Sequence, residues 1–482
     1  MLFQINDYLR CLNKETMKTL FYSFLMLLYF VPQVDAQDIK GSWKGDLKVM
    51  GQSLPLIVHF EEQNGEWTGK MDSPNQNAMG IPMKKVLANE LMVSFEMSMG
   101  NASYEGVLTN DEIKGNFSQG GMKFPLDFTR ANPEDIQKKE MPKRPQTPKE
   151  PFNYDIEEVS FENKSDNITL MGTLTKPKGG GKFPAVVLIT GSGPHTRDHE
   201  ILGHKPFWVI ADYLTENGIV VLRYDERGIG ESSGDFNSAT TFDLKNDVVS
   251  AIKFLKNHPS VDLGKIGVIG HSEGGLISWM LGSEENDLSF LVSLAGPVVP
   301  IKELMTKQTE EITRVSGAPE AVVKASVNRN RDIYQAVIDS QSDEEWKGAL
   351  GPIFEANLKE MNVPENMWPS QMTSLRNAYE SQLTPWMVNF LKMNPEIYIN
   401  DIDIPVFAAF GTKDLQVAAV QNGNRLTKMF EDKSNLLTLK VYNNLNHLFQ
   451  TAQAGGVDEY GKIEETFNEK VLSDIVEFIK KQ

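Results

Sequence analysis

Two rhythms of apolar and polar residues divide this chain. From residue 37 to 130, short apolar runs such as LPLIVHF (54–60), LMVSFEMS (91–98) and MKFPLDFT (122–129) are separated by QNGE, SPNQN, MGN and TNDE. Alternation of this kind, broken at short intervals by turn residues, predicts a small antiparallel barrel or sandwich without helices. The next segment, residues 131–152, carries five prolines among many charges. It suits neither a ladder nor a helix and reads as a linker.

From residue 153 to 482 the rhythm changes. PAVVLIT (184–190), IVVLRYD (219–225), KIGVIG (265–270), LSFLVSLAG (288–296) and IPVFAAFG (404–411) are continuous apolar runs, as in strands buried on both faces. Segments of helical character lie between them: KPFWVIADYLTENG, TFDLKNDVVSAIKFLKNH and GGLISWMLG. This alternation predicts an α/β fold with a parallel sheet between helices. Residues 300–400 interrupt it with a helical insert at the C-terminal end of a strand, where such sheets bind ligands. The insert reads as a lid. It holds Met305, Met361, Met367, Met372, Met387, Met393, Trp346, Trp368 and Trp386. These side chains either pack a small core of their own or form a flexible apolar surface for an acyl chain.

Residues 20–31, LFYSFLMLLYFV, form an apolar run too short to span a bilayer comfortably. Lys14 and Lys18 precede it, and small residues ending at Ala36 follow. The expectation is a secretory signal peptide over residues 1–36, with Met17 as a more typical start, and no stable membrane span in the mature chain. Cys11 is the only cysteine and falls in the removed part. Disulfides and thiol chemistry are therefore not expected, and export points to a periplasm or the cell exterior. The net charge of −17 argues against a nucleic-acid partner.

Two stretches match G-x-S-x-G: GHSEG (270–274), centred on Ser272, and GESSG (230–234), centred on Ser232. A serine nucleophile of this type sits on a sharp turn between a strand and a helix. GHSEG has that context; GESSG follows RYDERGI and runs into a polar Gly- and Ser-rich loop. Ser272 is the candidate nucleophile. Serine needs a base held by an acid, and in this arrangement the acid and then the histidine follow the serine in the chain. Past Ser272 only His447 remains, after the predicted strand LLTLKV (436–441), and Asp414 lies just beyond IPVFAAFG, the strand before it. Asp401 and Asp403 lie at the wrong end of that strand. The backbone N–H of Glu273 would be one oxyanion donor. The loop TGSGPHTRD would supply the other through the Ser192 N–H, with Gly191 and Gly193 allowing close approach. His195 is expected at the pocket rim. The same glycines could suit a phosphate loop, but no Gly-Lys-Ser/Thr follows. His59 reads as a strand residue.

TGSGPHTRD, RYDERGIGESSG, GHSEGG, FGTKD and LNH, in that order, resemble the α/β-hydrolase superfamily over residues 154–482. They are most similar to secreted or periplasmic bacterial carboxylesterases. The resemblance implies a triad of Ser272, Asp414 and His447, no metal or organic cofactor, and a small-molecule or carbohydrate-linked ester as substrate. It also implies a structural RYDERGIGESSG loop, with Asp225 and Arg227 as local pairing residues. Arg197 and Asp198 are expected to pair in a salt bridge that shapes the first loop; binding of an anionic group is the alternative for that pair. A peptidase or acyltransferase with the same triad, and a non-enzymatic glycan- or surface-binding protein, are the rival readings.

Overall fold

The computed structural model describes residues 39–482 except 50–51, 64, 75–77, 90, 98–101, 110, 120–121, 133–141 and 285–286. The expected export signal lies outside the described residues.

The first eight strands are β1 (Gly41–Val49), β2 (Gln52–Gln63), β3 (Glu66–Ser73), β4 (Ala78–Ala88), β5 (Met92–Met97), β6 (Ala102–Thr109), β7 (Glu112–Gln119) and β8 (Met122–Arg130). Each runs antiparallel to the next, and β8 returns to pair with β1, so the sheet closes into a barrel rather than a sandwich. Alternate residues point inward. Trp43, Val58, Phe60, Phe95, Tyr104 and Phe128 fill the interior, each burial worth about 1.5–3 kcal/mol. Their neighbours face outward, and three of these form a hydrogen-bonded chain across β1, β2 and β3. Ser42 Oγ lies 2.7 Å from His59 Nδ1, and His59 Nε2 lies 2.9 Å from Asp72 Oδ2.

The segment after the barrel is not a free linker in its second half. Arg144 donates to the carbonyls of Leu202, Gly461 and Ile463 at 2.8–2.9 Å, and Gln146 bonds the backbone of Thr466 and Phe467. A guanidinium that satisfies three carbonyls fastens residues 142–152 as a strap on the second domain.

That domain is built on β9 (Tyr154–Asn163), β10 (Ile168–Pro177), β11 (Phe183–Ile189), β12 (Val220–Tyr224), β13 (Val261–His271), β14 (Phe290–Leu294), β15 (Val406–Gly411) and β16 (Leu437–Tyr442). The sheet order is β16-β15-β14-β13-β11-β12-β10-β9. The strands from β11 onward pair in parallel, and β9 and β10 add an antiparallel edge. Strands β12, β14 and β15 are buried at every residue, which is why their sequences are mostly apolar, with Arg223 and Ser293 the polar exceptions. The β9 strand alternates exposed and buried positions, as an edge covered on one face does.

Helices α1 (Pro206–Glu216), α2 (Thr241–Asn257) and α3 (Glu273–Glu284) follow the central strands. Six more form the insert over the sheet: α4 (Ile301–Val315), α5 (Glu320–Asp339), α6 (Asp343–Glu360), α7 (Trp368–Gln382), α8 (Pro385–Leu391) and α9 (Pro395–Asn400). Helices α10 (Ala419–Met429), α11 (Val457–Tyr460) and α12 (Glu469–Lys480) complete the domain. No helix among the described residues is long and apolar enough to cross a membrane.

Candidate active site

The turn between β13 and α3 carries Ser272. Its φ is 56°, a left-handed conformation that costs an L-residue about 1–2 kcal/mol. Hydrogen bonds hold it there: Ser272 N–H donates to Leu294 O at 2.9 Å, and the N–H groups of Gly275 and Leu276 donate to Ser272 O. The turn is also packed too closely for larger residues. A Cβ on Gly270 would collide with the Gly274 carbonyl, and one on Gly274 with the Ile189 carbonyl. Glu273 is the first residue of α3, so its N–H has no partner within the helix, and the positive end of the helix dipole lies beside Ser272.

Asp414 follows β15 and is 4% exposed. One carboxylate oxygen accepts the N–H groups of Gln416 and Val417 at 2.8 and 2.9 Å. The other lies 2.8 Å from His447 Nδ1. That bond places the imidazole proton on Nδ1 and leaves the Nε2 lone pair as a base. His447 sits in the turn after β16, which a buried amide network stiffens. Asn446 Oδ1 accepts from Leu448 N and Gln450 N, and Gln450 Nε2 reaches His204.

Ser272 and His447 line one cavity of about 290 Å³. Gly191, Ser192 and His195 from the loop after β11 share its wall. Gly191 lies so close to the serine turn that a Cβ there would be 3.1 Å from Ser272 Cβ. Gly193 has a φ of 107°, open only to glycine. The lid contributes Leu304, Met305, Trp386, Met387 and Phe390, a mostly apolar wall. Trp346 and Met393 are instead buried in the packing beneath, and Met361 and Met367 are exposed. The insert's methionines and tryptophans are thus divided among cavity wall, buried packing and exposed surface.

Four of the seven histidines converge here. The rings of His195, His199, His271 and His447 follow one another with centroids 4.1, 5.4 and 4.8 Å apart. Burial pushes His271 down to about 3 and His199 well below the ordinary histidine range, so both are neutral at pH 7. His271 Nε2 then donates to His447 O at 2.8 Å, fixing the loop that carries the base.

The Glu273 side chain is buried. Its Oε1 accepts the Thr241 hydroxyl at 2.5 Å and the Trp386 indole N–H at 2.9 Å, tying the lid to the first turn of α3. Burial pushes this carboxyl up, against the pull of Thr241, Trp386 and Ser192.

Ser232 stands apart from the cavity. Its hydroxyl donates to Asp225 O at 2.7 Å and accepts from Met171 N at 2.9 Å, stitching a turn to β10. Asp225 and Arg227 do pair, but not with each other: Asp225 accepts from Arg197, and Arg227 donates to Asp247 and Asp166. The expected Arg197–Asp198 pair does not form. Arg197 reaches Asp225, Glu158 and Glu231 at 2.5–2.7 Å, whereas Asp198 pairs with Arg223 and Lys205. With its guanidinium spent on three carboxylates, Arg197 braces the loop from behind and is not among the cavity-lining residues.

Sequence reasoning did not single out Glu226, His199 or His271. His271 occupies the free position of G-x-S-x-G and Glu226 lies within RYDERG, yet no spacing marks either residue.

The sheet order, the left-handed serine between β13 and α3, and the Asp–His pair beyond β15 and β16 together define an α/β-hydrolase. Residues 154–482 have that fold. A family model described as serine aminopeptidase, S33, matches residues 205–346. The chain is 36% identical over 154 residues to the esterase EstD of Thermotoga maritima, covering 32% of this chain and 37% of EstD. It is 31% identical over 165 residues to the polyketide transferase claH of Penicillium crustosum, covering 34% of this chain and 50% of that one. The matches thus span half or less of these relatives' length. Among solved structures, the Pyrococcus furiosus esterase PF2001 aligns with a TM-score of 0.41 at 20% identity, over 68% of this chain and 91% of that one.

Proposed function

We propose that this protein is a serine hydrolase that cleaves carboxylic esters through an acyl-enzyme. The observation that carries the reading is the Asp414–His447 hydrogen bond of 2.8 Å, opening onto the same cavity as a serine held at φ 56°. His447 Nε2 takes the Ser272 proton as Oγ attacks the ester carbonyl. The Glu273 and Ser192 N–H groups receive the oxyanion, each such donor typically contributing about 3 kcal/mol. His447 then protonates the departing alcohol. Water, deprotonated by the same nitrogen, releases the acid and restores Ser272.

The apolar lid wall suits the acyl chain of a small-molecule or carbohydrate-linked ester. The similarity to EstD favours ester cleavage; those to claH and the aminopeptidase family model make acyl transfer or peptide cleavage the second reading. A panel of p-nitrophenyl esters, p-nitroanilides and short peptides, each run against Ser272→Ala, separates them. Ester turnover that disappears in Ser272→Ala is expected. Peptide cleavage without ester turnover would overturn the ester assignment.

Export to the periplasm or exterior is part of the same proposal, motivated by residues 1–36. N-terminal sequencing of secreted material should begin at Gln37; an uncleaved cytoplasmic chain would contradict it.

A further inference from the structure

The Thr190–His195 loop has to hold an amide over the reacting carbonyl, yet two of its six residues are glycine and no helix or strand runs through it. One buried side chain bonds both of its ends. Glu226, in the turn after β12, accepts from the Thr190 hydroxyl at 2.5 Å through Oε1 and from the His195 N–H at 2.7 Å through Oε2. Its own N–H donates back to His195 O at 3.2 Å. Glu226 is not itself among the residues that line the cavity.

We propose that Glu226 is the positioning residue of the oxyanion loop: its carboxyl clamps Thr190 to His195 and so fixes where the Ser192 N–H points. The inference rests on the ester-hydrolase reading for its catalytic consequence, but not for its structural one.

The charge of the clamp matters as well. Burial pushes Glu226 up to about 8. Glu273 from α3 and Asp247 from α2 both oppose its ionisation. The remaining neighbours offer it no positive charge. Tyr224 on β12 is held neutral by burial, His195 is pushed down by burial, and Arg227 is engaged by Asp247 and Asp166. Below pH 8 the carboxyl keeps its own proton. Above it, a carboxylate would sit behind the loop that must stabilise a developing oxyanion. Turnover should therefore decline as pH rises through about 8.

Two variants test this. Glu226→Gln can still accept from the His195 N–H through its amide oxygen and bridge to Thr190 by donating from its amide nitrogen to the hydroxyl oxygen, and it cannot ionise; Glu226→Ala removes the clamp. With active sites counted by fluorophosphonate titration, Glu226→Gln should retain kcat within about threefold at pH 7 and lack the alkaline decline, and Glu226→Ala should lose about 10²-fold in kcat with KM little changed. A kcat per active site unchanged in Glu226→Ala, or an alkaline decline persisting in Glu226→Gln, overturns the proposal. Amide hydrogen exchange supplies a readout independent of turnover. Ser192 and Gly193 should exchange about tenfold faster in Glu226→Ala than in the parent, and equal rates also overturn the clamp. Ester turnover surviving in Ser272→Ala would instead sink the ester reading and leave the exchange result standing.

Discussion

The barrel contains a hydrogen-bonded Ser, His and Asp, the α/β domain contains a hydrogen-bonded Asp–His pair whose histidine shares a cavity with a serine, and the two sets are built differently. On the barrel, Ser42 and His59 are cross-strand neighbours in regular sheet, and Asp72 lies on the adjoining strand with its second oxygen accepting Gly80 N–H at 2.6 Å. The imidazole is used the other way round: Nδ1 faces the serine and Nε2 the aspartate. The β1 strand continues past Ser42, so no helix N-terminus meets it. A groove on β1 and β8 is lined by Lys44, Gly45, Asp46 and Arg130, among others, without Ser42. In the second domain the serine is held left-handed, a helix begins at the next residue, the aspartate is fixed by two backbone amides, and a cavity opens over the serine and the histidine. The residue types are equal; what differs is strain, dipole and space. Those three properties are what our account makes responsible for chemistry at Ser272 and for a purely structural role at Ser42.

The largest expected effect is therefore asymmetric. Ser272→Ala should lower kcat for a p-nitrophenyl ester by about 10⁴-fold or more, while Ser42→Ala should leave it within about twofold. Next, Asp414→Asn should cost on the order of 10³–10⁴ in kcat by releasing the histidine tautomer, and Asp72→Asn should cost nothing measurable in the same assay.

Stability sharpens the contrast. Gly270→Ala drives a methyl into the Gly274 carbonyl and should destabilise by about 3 kcal/mol or more in chemical denaturation. Gly41→Ala, beside Ser42, meets only the Arg130 guanidinium at 3.5 Å, so its cost is that of placing alanine at a φ of 105°, about 1–2 kcal/mol.

Acid should act on the site domain through its sealed histidines. His271 is held down at about 3 by burial, below its unfolded value near 6.5. Between these values the unfolded chain binds the extra proton, so stability is complete above about pH 6.5 and is lost as pH falls toward 3. The loss attributable to His271 should reach about 2 kcal/mol at pH 5, read as a falling denaturation midpoint that flattens in His271→Gln. The smallest effect concerns the lid. Trp386→Phe removes one donor from the buried Glu273 and should cost about 1–2 kcal/mol, with KM for longer acyl chains raised more than kcat is lowered.

The sequence made some of this visible for physical reasons. The central strands are buried on both faces, so their sequences are dominated by apolar residues and easily read. The edge strand β9 is harder to read because it mixes polar and apolar residues, with one face exposed, and its neighbour β10 carries several threonines and a lysine. Ser272, Asp414 and His447 stood out because chain order and strand ends constrain them, and because only one histidine follows the serine's own motif. The resemblance implies an Arg197–Asp198 salt bridge, but their side chains diverge toward Asp225 and Arg223. Glu226, His199 and His271 acquire their roles only when β11, β12 and β13 come together, and nothing local encodes that. The Ser42–His59–Asp72 chain was likewise hidden, since cross-strand register brings it together.

The most direct measurement is labelling of the intact protein with a fluorophosphonate, followed by peptide mapping. The account predicts a single phosphonylated residue, Ser272, with labelling lost in His447→Ala and unaffected by Ser42→Ala. A label on Ser42, or no label at Ser272, would contradict it.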